Sequence, residues 1–131
     1  MNTVNRAHYE KDPQIAIEIA PELCLRMDEG DLMELLGNLI DNAFKWCRQT
    51  VAICAQYEHD DIVLKVEDDG PGVKLEEIGR IIERGVRADQ SMPGHGIGLA
   101  IVRDIAQAYE GALSIDPNRN GGASFIVRLK R

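Results

Sequence analysis

Five residues of the stretch DLMELLGNLIDNAFKWC carry oxygen, amide and ammonium groups at helical spacing: Glu34, Asn38, Asp41, Asn42 and Lys45. Residues three and four apart share a helix face, so a helix over residues 32–48 holds all five on one narrow stripe. Leu32, Leu35, Leu36, Leu39, Ile40, Ala43 and Phe44 nearly encircle that helix, which reads as mostly buried. A solvated outer face is the ordinary explanation of a polar stripe. Such faces favour Glu and Lys, however, and asparagine is a mediocre residue in a helix interior. Carboxamide oxygens one turn apart suit a hard cation such as Mg²⁺, which prefers oxygen ligands and keeps several waters. Glu34 can polarise a hydroxyl or an imidazole, and Lys45 can meet a phosphate.

A second stretch, VEDDGPGV at residues 66–73, sets Asp68 and Asp69 against Gly70 and Gly72. Glycine-rich turns that hold phosphates usually carry a lysine, and this one carries two acids. A carboxylate only accepts hydrogen bonds. It therefore suits a donor such as the exocyclic amino group of adenine, and the two glycines let backbone come close to a base. A plain β-turn would use the same residue types. In a third stretch, PGHGIGLAIVRDIA, Gly94, Gly96 and Gly98 run straight into a helix. The exposed N–H groups and the dipole at such a start favour an anion. No strand precedes these glycines directly, which argues against a dinucleotide-binding unit of the Rossmann kind.

These groups need elements to position them. Residues 15–20 (IAIEIA) alternate like a strand that Pro21 stops, and residues 23–27 (LCLRM) read as a second strand. Asp31 is the expected N-cap of the long helix. Residues 51–57 and 62–67 are strands joined by the acidic turn EHDD. A short helix near LEEIGRII leads into RGVRADQSMPG, and residues 84–94 read as a lid ordered by a bound nucleotide. Residues 97–110 form a helix with Leu99, Val102, Ile105, Ala106 and Tyr109 on one stripe, closed by Gly111 as C-cap. Residues 112–115 and 123–129 are strands around DPNRNGG. The alternation predicts an α/β protein: a two-layer α/β sandwich, with a mixed sheet and helices on one face.

With 131 residues the chain suits one domain, at 13–131, preceded by a polar, frayed remnant at residues 1–12. The net charge of -7 argues against nucleic acid, whose phosphates need a basic footprint. No apolar run approaches the roughly 20 residues that span a bilayer, and no signal peptide opens the chain. Cys24, Cys47 and Cys54 lack metal spacing and read as free core thiols in a reducing compartment.

Taken together, the three stretches resemble the boxes of sensor histidine kinases. ELLGNLIDNAFKW is similar to their N-box, DDGPG to the first glycine box, GHGIGLA to the second, and GGASFIVRL to the closing strand. VEDDGPGV, ERGVRAD and the pair Trp46–Cys47 resemble the PhoQ-type branch. The resemblance spans residues 13–131 and implies the Bergerat or GHKL fold, shared with type II topoisomerases and MutL. It implies ATP and Mg²⁺ as cofactors. Asn38 would then bind the metal, Asn42 and Lys45 the phosphates, and Glu34 would prepare a phosphoacceptor histidine. Trp46 would stack near adenine and Asp68 would take its amino group, with Gly70, Gly72, Gly94, Gly96, Gly98 and Leu99 completing the boxes. Asp69 would be the less critical acid. Arg87 is the better phosphate contact of the two lid arginines, Arg84 being the other. His95 either touches the γ-phosphate or is an exposed loop histidine.

Where the family has phenylalanines around its intervening box, this chain reads Ile82-Glu83-Arg84-Gly85. His8, His59 and His95 all lack a phosphoacceptor context. The resemblance therefore implies the cytoplasmic catalytic part of a bacterial inner-membrane kinase. Its partners would be a separate dimerisation and phosphoacceptor domain and a response regulator. The fragment itself would be monomeric, and the full-length protein a homodimer. An ATPase clamp of the same fold and a serine-directed anti-sigma kinase are the alternatives.

Overall fold

The computed structural model of the protein describes residues 12–71, 96–117 and 122–130. In chain order these form β1 (Gln14–Ile19), α1 (Glu29–Trp46), β2 (Thr50–Glu58), β3 (Asp61–Asp68), α2 (Gly96–Ala108), β4 (Ala112–Pro117) and β5 (Ala123–Lys130). The strands make one mixed sheet in the order β1-β2-β3-β5-β4. Strand β1 lies parallel to β2, and the other neighbours are antiparallel. The two helices pack over the sheet with one core between them, which includes Leu35, Leu39, Leu99, Val102, Val66 and Phe125. This is the two-layer sandwich that the alternation of elements predicts.

Strands β2 and β3 form a hairpin because alternate residues bury one face and a two-residue turn, His59–Asp60, reverses the chain. His59 takes the left-handed conformation there, with φ 57. Strand β1 is one edge of the sheet, with β4 the other, and Ile15, Ile17 and Ile19 on it are 48–64% exposed. Pairing of Ile15 with Val51, Ile17 with Ile53 and Ile19 with Ala55 puts these isoleucines on the sheet face that carries the core. An apolar cleft of about 180 Å³, lined by Ile19, Leu25, Leu36 and Ile53 among others, lies beside them and shares no residue with the polar stripe.

Four local expectations change. Residues 23–27 form no strand. Instead Tyr57 pins this segment to the sheet: its hydroxyl accepts from the Cys24 N–H (2.9 Å) and donates to the Glu22 carbonyl (3.1 Å). Leu23 and Leu25 pack on the core from an irregular path, so their alternation reflects packing without strand pairing. The N-cap of α1 is Asp28, not Asp31; its carboxylate accepts from the Asp31 N–H at 3.1 Å. The carboxylate of Asp31 accepts a 2.6 Å hydrogen bond from the Tyr109 hydroxyl, and that hydroxyl in turn accepts from the Asp28 N–H. The start of α1 and the end of α2 are thus tied together, and the hydrogen bond to Asp31 raises the Tyr109 pKa above its ordinary value. None of the three cysteines forms a disulfide, and only Cys47 is buried; Cys54 is half-buried and Cys24 is exposed, so they are not all core thiols.

The end of α2 shows the fourth change. Gly111 donates to the Ala106 carbonyl (2.7 Å) and Glu110 to that of Gln107 (3.0 Å), the paired bonds of a Schellman ending. The left-handed residue of this ending is Glu110, at φ 60. Gly111 is required for space, since a Cβ there would lie 2.1 Å from the Arg128 carbonyl oxygen on β5. Gly111→Ala must push α2's exit off the sheet and is expected to cost about 1–3 kcal/mol, the usual range for overpacking, measured as a lowered urea midpoint at unchanged slope.

Candidate functional site

The fold divides the polar stripe of α1 into three depths. Leu35, Leu39, Asn42 and Ala43 are the buried residues of the helix, so Asn42 continues the core-facing row one turn beyond Leu39. Asn38 is half-buried, while Glu34, Asp41 and Lys45 are exposed. The helix is therefore amphipathic and not encircled by core, as Met33, 65% exposed, also shows. The stripe is the line where the buried face meets the open one. A side chain on such a line is held by packing on one side and can reach a ligand on the other.

The two asparagines differ in what holds them. Asn38 donates its Nδ2 to the Glu34 carbonyl at 2.7 Å, which orients the carboxamide and leaves Oδ1 directed toward α2. Gly98 faces that oxygen closely, and a Cβ there would sit 3.2 Å from it. Asn42 is only 6% exposed, and neither its Oδ1 nor its Nδ2 has a hydrogen-bond partner among the described residues. A buried carboxamide without partners costs about 1–3 kcal/mol, so this position carries a polar group at the expense of stability.

The acidic turn meets the other end of the helix. Asp68 closes β3, is 5% exposed, and its Oδ1 accepts from the Gly70 N–H at 2.8 Å. Its place is set by cross-strand pairing with Val51 and Ala123. Gly70 lies against the last residue of α1: a Cβ on it would be 2.0 Å from the Trp46 carbonyl oxygen. Gly122, at φ +86, presses on the same turn from β5, where a Cβ would be 1.9 Å from the Asp68 carbonyl oxygen. Trp46 itself is half-buried at the helix end.

Asp69 turns away from Asp68. Its carboxylate accepts from the N–H groups of Arg48 (2.7 Å) and Gln49 (3.1 Å), in the link between α1 and β2. Desolvation opposes ionisation of this acid, yet the backbone N–H groups of Arg48, Gln49, Thr50 and Asp69 itself outweigh it and hold the pKa below its ordinary value. Sequence reasoning ranked Asp69 below Asp68 and missed this contact. The only signal was a second acid beside a glycine turn, and its partners lie about twenty residues upstream.

The structure thus brings Asn38, Asn42 and Lys45 of α1, Trp46 at its end, the turn of Asp68 and Gly70, and the start of α2 at Gly96 and Gly98 to one end of the sandwich. Leu99 points its side chain into the core at 1% exposure, so only its backbone can serve a ligand. Gly72, Arg84, Arg87, Gly94, His95 and the expected lid lie outside the described residues. Among the described residues no three His, Cys, Asp or Glu side chains gather as a metal cage. No helix among them is long and apolar enough to cross a membrane. The donor set is one of carboxamide oxygens, a lysine, a helix start and a recessed carboxylate. That set fits a polyanion with a hard cation at one end and a hydrogen-bond donor at the other.

Comparison with known proteins agrees with this arrangement. Residues 27–131 match the family described as histidine kinase-, DNA gyrase B- and HSP90-like ATPases. The two-component sensor PhoQ of Pseudomonas aeruginosa is 41% identical over 128 residues, which are 98% of this chain and 29% of that protein. The chain therefore spans less than a third of the length of this relative. Among solved structures, full-length ShkA in complex with AMPPNP is similar with a TM-score of 0.79 at 31% identity, covering 95% of this chain and 27% of that one. The mycobacterial sensor histidine kinase MprB is similar with a TM-score of 0.77 at 28% identity, covering 98% of this chain and 89% of that one. A stripe of asparagines on α1, an acid held by glycine at the end of β3 and a glycine-led helix start, with a family match over residues 27–131, lead to one conclusion: the chain belongs to the histidine kinase-, DNA gyrase B- and HSP90-like ATPases, with the GHKL fold.

Proposed function

We propose that this chain is the ATP-binding catalytic domain of a two-component sensor histidine kinase and delivers the ATP γ-phosphoryl group to a histidine on a separate dimerisation domain. The observation that carries the reading is Asn42, a buried carboxamide without partners among the described residues, on the same stripe as Asn38. Bound ATP supplies the phosphoryl group, and Mg²⁺ neutralises charge on its phosphates. Asn38 Oδ1, oriented by the bond to Glu34, holds the metal directly or through water, and Asn42 completes its own hydrogen bonding on the phosphate side. Lys45 adds positive charge there. The N–H groups at the start of α2, around Gly96 and Gly98, receive phosphate oxygens. Phosphoryl transfer needs little covalent help from protein, so positioning and charge neutralisation are the main work of these groups.

At the opposite end Asp68 accepts the adenine amino group, and Trp46 stacks near the ring. Glu34 is exposed one turn before Asn38, where an imidazole brought by another domain can reach it. It accepts that imidazole's proton and readies the free nitrogen. In this reading Gly72 lets backbone come close to the base, and Arg87, Gly94 and His95 serve the phosphate side. Residues 13–131 are the catalytic unit. The phosphoacceptor and dimerisation domain and a response regulator are its partners, and the parent protein is a homodimer of the bacterial inner membrane with this part in the cytoplasm.

Three measurements test the reading. Incubated with labelled ATP and Mg²⁺, the chain alone is expected to bind nucleotide without acid-labile phosphate appearing on it, because transfer needs approach at about 3–3.5 Å by a histidine held in line. Adding a histidine-bearing dimerisation domain should start slow transfer, and Asn38→Ala should stop it. Stoichiometric phosphate on this chain alone would refute a target elsewhere. Asn42→Leu is expected to raise ligand-free stability by about 1–3 kcal/mol in urea unfolding while removing Mg²⁺-ATP binding in calorimetry; destabilisation with retained binding counts against a ligand-facing carboxamide. Asp68→Asn should lose adenine over guanine preference, weakening ATP by about 1.5–3 kcal/mol; an unchanged ATP isotherm on folded protein would sink that assignment.

A further inference from the structure

We infer that Asp69 is a positioning residue of the nucleotide site: it touches no ligand and sets the separation between Asp68 and the end of α1 that carries Asn42, Lys45 and Trp46. The inference rests on the nucleotide reading above. Helix α1 ends at Trp46 and β2 begins at Thr50, so Cys47, Arg48 and Gln49 form the link between them. Arg48 and Gln49 donate their N–H groups to the Asp69 carboxylate, with Oδ1 receiving Arg48 at 2.7 Å and Gln49 at 3.1 Å, and Oδ2 receiving Gln49 at 3.1 Å. The next residue, Gly70, lies so close to the Trp46 carbonyl that no side-chain carbon fits between them. Two consecutive residues of one turn therefore hold the same helix end, one by charge-assisted hydrogen bonds and one by close backbone contact.

Asp68 sits on that turn and is paired into the sheet on both sides. Asn42 and Lys45 sit within the last turns of the helix being held. Releasing the Asp69 bonds frees the helix end to shift against the turn while leaving each group on its own element. A ligand that spans both ends would lose the benefit of simultaneous engagement, which depends on the two subsites keeping a matched distance. A ligand that leaves the Asp68 turn untouched, such as tripolyphosphate, would lose little. A residue that only supported the fold would instead weaken all ligands alike, in proportion to the folded fraction lost.

The test compares the parent chain with Asp69→Ala and Asp69→Asn by NMR titration with Mg²⁺-ATP, with adenosine and with Mg²⁺-tripolyphosphate, alongside urea unfolding of each variant. In Asp69→Ala, ATP affinity should fall about tenfold or more while tripolyphosphate stays within about twofold; adenosine, which meets both Asp68 and Trp46 at the released helix end, should fall with ATP. Asp69→Asn keeps a side-chain oxygen acceptor for the Arg48 and Gln49 N–H groups and should recover most of the ATP affinity. Equal losses for the three ligands, an unchanged ATP affinity in Asp69→Ala, or an Asn variant as weak as the Ala variant would each overturn the inference. A parent chain that binds neither ATP nor its fragments overturns the nucleotide reading itself.

Discussion

The Gly70 backbone rests against the Trp46 carbonyl with no room for a methyl group, and the geometry of the site follows from that contact. It joins a turn that belongs to the sheet to a helix that lies across it. Strand β3 is paired along its whole length with β2 and β5, so its end is among the most constrained points of the described fold. Whatever touches that end inherits its position. Helix α1 touches it at its last residue, and the polar stripe runs back from there. A side chain at position 70 would part the two layers at the point where a ligand would bridge them.

The stripe on α1 shows how one helix serves a core and a site together. Leu35 and Leu39 hold it to the sheet, and Asn42 occupies the next place on the same row. An apolar residue there would extend the core. A carboxamide leaves a buried donor and acceptor to be met by something other than the described protein. Active sites commonly hold polar groups at a cost in stability, because a group already desolvated and fixed interacts more strongly with what binds it. Asn38 is treated differently. Its amide is tied back to Glu34, so its oxygen is aimed before any ligand arrives.

Helix α2 is held at its far end for a related reason. The Tyr109 hydroxyl links Asp31 and Asp28 at the start of α1, and Gly111 lets the exit of α2 settle on β5. With those anchors in place the glycine-led start of α2 lies beside Asn38, and Gly98 is small enough to leave the carboxamide oxygen reachable. The opposite edge of the sandwich, with the exposed isoleucines of β1, takes no part in this site.

Much of this was legible in the sequence. Periodicity of two and of 3.6 located every described strand and helix, because burial of alternate faces is a local property of the chain, and it added one strand, at residues 23–27, that does not form. The helical spacing of Glu34, Asn38, Asp41, Asn42 and Lys45 exposed the stripe, and acids beside glycine marked the turn. Depth and distance were not legible. Nothing in the local pattern says that Asn42 is buried while Lys45 is exposed, that Glu110 takes the left-handed place expected of Gly111, or that Asp28 caps in place of Asp31. Nor does the pattern say that Asp69 binds a link twenty residues away, because its partners are backbone N–H groups, which every sequence offers alike. Residue type and spacing determined which chemistry the chain carries. Only the packing of α1 on the end of β3 decided which of those groups face one another, since that contact joins segments that have no relation along the chain.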